Sequence, residues 1–99
     1  PLARAFRHAA NEAPPGAVIV LISDGIENCG EDPCSSVSEA AASDQPFTLH
    51  TIGFGLGNRD QWELYCMANA GRGSFALAAG GSELEAALRR ILDELAVPA

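Results

Sequence analysis

Residues 17–22, AVIVLI, are the stretch of sequence that decides the fold. The run is continuous, apolar and rich in β-branched side chains, and it is too short for a typical helix. Runs of this kind are typical of parallel strands that other elements cover on both faces. Residues 14–16 (PPG) precede it and the polar, acidic residues 23–33 follow it, so turn or loop sequence bounds the predicted strand at both ends.

Amphipathic segments and short apolar segments alternate along the rest of the chain. The predicted helices cover residues 1–12, 33–43, 58–70 and 82–97, and the further strands cover residues 47–53 and 74–79. Such alternation predicts right-handed βαβ units. The expected fold class is therefore α/β, with a doubly wound parallel sheet and helices on both faces, in one small domain of 99 residues.

The charged residues exclude several functions. The chain carries 13 acidic residues against 6 basic ones, a net charge of -7, and all the basic residues are arginine. Nucleic-acid binding is not expected, because it needs clustered cations. Without lysine, P-loop and Schiff-base chemistry are excluded as well.

Targeting segments are not expected within these residues. The sequence has no apolar run of about 18 residues and no basic leader, which argues against a transmembrane helix and a signal peptide. The chain begins at Pro1 and not at a methionine. We therefore expect it to be a piece of a longer protein.

The chain resembles a known family over nearly its whole length. Residues 17–37, AVIVLISDGIENCGEDPCSSV, resemble the segment around the fourth strand of bacterial von Willebrand factor type A domains. Residues 49–55 resemble that family's fifth strand, and residues 64–74 and 75–95 resemble its later helices and last strand. Residues 1–3 resemble the start of the helix that follows the family's metal-site threonine. The resemblance implies a partial, Rossmann-like domain made of strands four to six and their helices, residues 1–99.

The resemblance also implies a cation site. In that family a divalent cation, usually magnesium, is held by a strand-end Asp-x-Ser-x-Ser, a threonine, and an aspartate after the fourth strand. Asp24 corresponds to that aspartate, and the other two parts have no counterpart here. Magnesium takes about six oxygen ligands, which one carboxylate cannot supply. We therefore expect an incomplete metal-ion-dependent adhesion site, with Mg²⁺ bound in an intact domain and not tightly bound by this chain.

The loops that follow the first two strands have simpler interpretations. Glu27, Glu31 and Asp32 could attract a cation weakly, but their spacing matches no established ligand pattern, so a solvated acidic loop is favoured. Asp32 is expected to cap the next helix, with Pro33 at its first position. Residues 53–57 read G-x-G-x-G, which lacks the spacing of a dinucleotide-binding loop and predicts a tight turn.

Three cysteines bear on the cellular compartment. Cys29 and Cys34 are separated by four residues, a spacing that differs from the C-x-x-C of redox enzymes and metal ribbons. We expect a local disulfide between them, although both could stay reduced. Oxidised cysteines would favour an extracytoplasmic location, which this family often occupies. Cys66 is expected to be a buried structural thiol, and His50 a residue packed between strands.

The expected function is ligand binding and not catalysis. An intact domain of this class would use its metal to capture an oxygen group of a protein partner. One alternative is a fragment of an α/β hydrolase or phosphoryl-transfer enzyme with Asp24 as nucleophile or base, but no lysine or adjacent second carboxylate supports it. The other is a structural fragment without independent activity.

The predicted strand of residues 17–22 is expected to pair with another chain. In the family the fourth strand pairs with the first, which has no counterpart in this sequence. The apolar edge of residues 17–22 would then be open. Open edges invite pairing with another chain, so we expect a homodimer or an exchanged element there.

Overall fold

The computed structural model describes residues 2–25, 32–43, 46–55 and 58–96. Within these residues the elements are α1 Leu2–Glu12, β1 Ala17–Ser23, α2 Pro33–Ala41, β2 Phe47–Phe54, α3 Asn58–Ala70, β3 Arg72–Ala78 and α4 Gly81–Ala96. The order predicted from the alternation of apolar segments is confirmed.

The strands form a parallel sheet with the order β1-β2-β3. β1 and β2 pair without interruption, from Ala17 opposite Phe47 to Ser23 opposite Gly53. Because all three strands run in the same direction, their carboxyl ends lie along one edge of the sheet, where ligands bind in open α/β sheets. Within the described residues, β1 and β3 each have one edge without a neighbouring strand.

The larger core lies between the sheet and the helices α1, α2 and α3. Its buried members are Phe6, Ile19, Val37, Leu49, Leu64 and Met67. The Phe6 ring packs against Phe47 at a centroid distance of 5.5 Å, which connects α1 to the start of β2. β1 and β2 thus contribute alternate side chains to this face, as the pleat of a strand requires.

The opposite face of the sheet is covered by α4. Its core consists of Ile52, Ala78, Ala87 and Ile91. Helices on both faces of a parallel sheet confirm the predicted α/β class. The apolar stripe of α4 continues beyond this core, because Leu92 and Leu95 are 63% and 54% exposed.

The start of β3 departs from regular pairing. The register passes from Leu49 opposite Arg72 to Thr51 opposite Phe75, so β3 contains an extra residue there. The backbone amide of Ser74 donates to Nδ1 of His50 at 3.0 Å, and the Ser74 hydroxyl lies 2.8 Å from the same nitrogen. The buried imidazole therefore accepts the amide hydrogen bond of a bulged residue, in agreement with the packing role predicted for His50.

Candidate functional site

Asp24 follows β1 directly and lies, exposed, at the carboxyl edge of the sheet. β1 is held in position by its full pairing with β2, so the backbone just before Asp24 is fixed by the ladder. Ser23 makes a local turn, because its hydroxyl hydrogen-bonds to the backbone of Gly25, whose amide lies 3.3 Å away. The predicted strand-end position of Asp24 is confirmed, and its role as a metal ligand stays a prediction.

The neighbouring strand end is a tight turn. Gly55 has φ +67°, a left-handed conformation that favours glycine. Its amide donates to the carbonyl of Ala78 at 3.2 Å, which connects the ends of β2 and β3. This edge of the sheet is therefore ordered by backbone hydrogen bonds on the side away from Asp24.

Acidic side chains do not gather around Asp24 in the part of the chain that the structure describes. No group of three or more His, Cys, Asp or Glu residues stands ready to hold a metal ion among those residues. Glu27 and Glu31 lie outside the described residues. At this edge Asp24 follows β1 directly, and the Glu83 carboxylate accepts from the amide of Ala79, just after β3 and two strands away, at 3.1 Å.

Asp32 caps α2. Its carboxylate accepts hydrogen bonds from the amides of Cys34 and Ser35 at 3.1 and 3.4 Å and from the Ser35 hydroxyl at 2.8 Å. Pro33 occupies the first helical turn, so the predicted cap is confirmed. The Ser35 hydroxyl, followed by the backbone amides, lowers the pKa of Asp32 from its ordinary value.

Glu63 forms a carboxyl pair with Asp32 across the contact between α2 and α3. Partial burial raises the pKa of Glu63, and the negative charge of Asp32 raises it further. The Cys34 amide acts in the opposite direction, because it donates to the ionised form. The sequence offered no signal for this pair, since the two residues are far apart along the chain and only the packing of α2 on α3 brings them together.

A disulfide connects Cys34 in α2 with Cys66 in α3. The two Cα atoms are 5.7 Å apart, within the range that a disulfide spans. The predicted Cys29–Cys34 disulfide is therefore wrong for Cys34, and so is the prediction that Cys66 is a thiol. Cys29 itself lies outside the described residues. Spacing along the chain was misleading because helix packing, and not proximity in sequence, determines the partner of Cys34.

A groove between α1 and α2 lies far from Asp24, at the amino ends of β1 and β2. It has a volume of about 320 Å³ and is lined by apolar residues, including Phe6, Pro46 and Phe47, with Arg7 and Glu39 among its polar residues. Ligands of open parallel sheets bind at the opposite, carboxyl edge. We therefore assign the groove no part in the candidate site.

No helix of the described residues is both long and apolar enough to cross a membrane.

Comparisons with known proteins show similarity to a curated protein but to no family. No family model matches the chain, and no solved structure matches it. The uncharacterized protein YwmD of Bacillus subtilis (strain 168) is 34% identical over 70 residues, which are 71% of this chain. The chain spans about a third of the length of this curated relative, 31%. The similarity therefore assigns no function to the chain.

Proposed function

We propose that the chain is part of a ligand-binding module of the von Willebrand factor type A class, in which Asp24 supplies one ligand of a divalent-cation site. The observation that carries this proposal is the position of Asp24, exposed and directly after β1 at the carboxyl edge of a parallel sheet. The parallel sheet with helices on both faces, which the resemblance implies, supports the same conclusion.

The chemistry of the proposed site is ligand capture through a cation. A carboxylate at a strand end is a hard oxygen ligand of the kind that magnesium prefers. Asp24 can fill one or two of about six positions, so the remaining oxygens have to come from other residues, from water and from the captured partner. An acidic group of a partner protein is the natural last ligand, because it adds an oxygen and neutralises the cation.

Calorimetric titration of Mg²⁺ into the chain tests the proposal. We expect weak binding, with a dissociation constant on the order of 1 mM or weaker, that the substitution Asp24→Asn abolishes. Asp93→Asn is the matched control, because it removes an exposed aspartate of α4 and the same unit of charge. Binding that Asp24→Asn leaves unchanged would rule out the cation role, and micromolar binding by the chain alone would contradict an incomplete site.

We also propose that a second copy of the chain pairs with the edge of β1 that no strand of the described residues covers. β1 contains no charged residue, no proline and no bulge, which are the features that usually protect an edge strand. An antiparallel, two-fold pairing centred on Val20 would set Val18 opposite Ile22 of the other copy, so each apolar residue meets another. Ile22 is 49% exposed in the single chain and would lose water contact in the pair.

An oxidising compartment is the third part of the proposal. Disulfides persist outside the reducing cytoplasm, and the pairing of Cys34 with Cys66 supports an extracytoplasmic location. A binding module of this class would meet its partner there. Recovery of the protein from its source with both thiols free would contradict this part alone.

A further inference from the structure

Two exposed aromatic side chains of α3 and one half-buried phenylalanine of β3 form a surface beside the edge of β3 that no strand of the described residues covers. Trp62 and Tyr65, on α3, are 67% and 48% exposed, and their ring centroids are 5.6 Å apart. Tyr65 contacts Phe75 of β3 edge-on at 6.4 Å. Together with Gln61 they line a shallow groove of about 330 Å³. We call these three aromatic residues, Trp62, Tyr65 and Phe75, the aromatic surface.

The strand edge beside this surface presents unpaired backbone groups. The Ala78 carbonyl accepts from Gly55 at the end of β2, so the peptide groups of Ala78 face β2. Backbone groups alternate along a strand, which directs the N–H and C=O groups of Phe75 and Leu77 to the free edge. Within the described residues no strand pairs with that edge. Because the irregular pairing lies before Phe75, the last four residues of β3 form a regular template.

The negative charge of the chain indicates that a basic segment of a partner fits the edge of β3. The chain has a net charge of -7, and Asp60 lies in the first turn of α3, two residues before Trp62. Aromatic faces attract arginine and lysine side chains within about 6 Å of the ring. Among the side chains of α3 and β3 that the structure describes, Arg72 is the opposing charge, and it lies at the far, irregular end of β3. A basic side chain is therefore favoured next to Trp62 and Tyr65, beside the middle of β3.

We propose that an extended, basic segment of a partner protein adds to the free edge of β3 as a further strand. Its backbone hydrogen-bonds to the N–H and C=O groups of Phe75 and Leu77. Alternate side chains lie on the α3 side of the sheet, where an arginine or lysine stacks on the aromatic surface. This surface is distinct from the Asp24 edge and needs no metal.

Trp62 provides a direct readout, because it is the one tryptophan of the chain. The probe is a blocked octapeptide of four Arg-Val repeats, titrated in the presence of EDTA while tryptophan emission is followed. We expect saturable quenching or a shift of the emission, and amide-exchange protection of Phe75 and Leu77. An octapeptide of four Glu-Val repeats, and an Arg-Val peptide with alternate backbone amides methylated, are expected to leave both signals unchanged.

Two substitutions test whether the peptide binds at the aromatic surface and not at other exposed apolar residues. Tyr65→Ala should weaken binding about three- to tenfold, as expected for one exposed cation–π contact with its packing, while Leu92→Ala, an exposed leucine of α4, should not change it. Circular dichroism verifies that both variants fold. No saturable signal, equal binding of the acidic peptide, or greater sensitivity to Leu92→Ala than to Tyr65→Ala would each overturn the proposal. Because EDTA is present, none of these outcomes bears on the cation site.

Discussion

At Gly73 the backbone of β3 passes so close to β2 that no side chain fits. A Cβ atom at this position would overlap the carbonyl of Leu49, whereas a Cβ atom at Gly80, between β3 and α4, would meet nothing within 4 Å. We expect Gly73→Ala to lower the free energy of unfolding by about 3 kcal/mol or more, and Gly80→Ala to change it by about 0.5 kcal/mol or less. Equal effects in urea denaturation would contradict the close approach of the two strands.

The sequence could not reveal the constraint at Gly73. The predicted strand began at residue 74, so Gly73 lay outside it, whereas the observed β3 begins at Arg72. Even within a strand, a glycine does not tell which residue its backbone approaches. His50 is a similar case. Its buried position could be predicted from the strand, whereas its acceptance of the Ser74 amide depends on the irregular register of β3.

At the scale of elements, the disulfide between α2 and α3 closes a loop with a sequence separation of 32 residues. Loop-closure entropy predicts that the double substitution Cys34→Ser and Cys66→Ser lowers the free energy of unfolding by about 3–4 kcal/mol. Ser38→Ala, at an exposed position of α2, is the control and should leave it nearly unchanged. Peptide mapping without reduction provides a second readout, and recovery of a Cys29–Cys34 peptide would contradict the pairing.

The contact between α2 and α3 should also make stability depend on pH. The pKa of Glu63 is raised above its ordinary value of 4.5, so the folded protein holds this proton more tightly than the unfolded chain. Stability from this group is present below about pH 4.5 and is lost as the pH rises through the folded pKa. At pH 7 the ionised Glu63 costs the wild type stability, and the Glu63→Gln variant avoids this cost. The stability of Glu63→Gln minus that of the wild type should therefore be larger at pH 7 than at pH 3.

Glu94→Gln, at an exposed position of α4, is the control for this pH dependence. Thermal unfolding of the three proteins at both pH values makes the comparison. A Glu63→Gln variant that tracks the Glu94→Gln variant at pH 7 would show that the carboxyl pair with Asp32 has no energetic effect.

Element boundaries followed from the sequence more directly than contacts between elements did. The apolar runs of β1 and β2 and the cap at Asp32 are local signals, and the structure has them where they were predicted. The partner of Cys34 and the Asp32–Glu63 pair depend on how two helices pack. Such contacts join residues about 30 positions apart, which no local pattern encodes.

At the scale of the whole molecule, β1 is an edge strand among the described residues, and it lacks the usual protection against pairing. We expect self-association in sedimentation velocity, weakened at least about tenfold by Ile22→Lys, because a lysine on an edge strand opposes pairing. Leu77→Lys is the matched control, since Leu77 lies on the other edge strand with 48% exposure against 49% for Ile22. A monomer at high concentration, or equal effects of both substitutions, would contradict pairing through β1.

The fold class could be predicted from the sequence because strand and helix periodicity alternate along the whole chain. The candidate site could be predicted only as a position. Asp24 follows the most apolar strand, so its location at the carboxyl edge follows from the parallel sheet. Its ligand partners could not be predicted, because a cation site is assembled from several chain segments.

The most direct test of the proposed cation site is a map of paramagnetic broadening by Mn²⁺ in the ¹⁵N-¹H spectrum of the chain. We predict that substoichiometric Mn²⁺ broadens the amides of Ser23, Asp24 and Gly25 first, and that Asp24→Asn removes this effect while Asp93→Asn does not. Broadening centred on the acidic residues of α4, with the end of β1 unaffected, would contradict a cation site at Asp24.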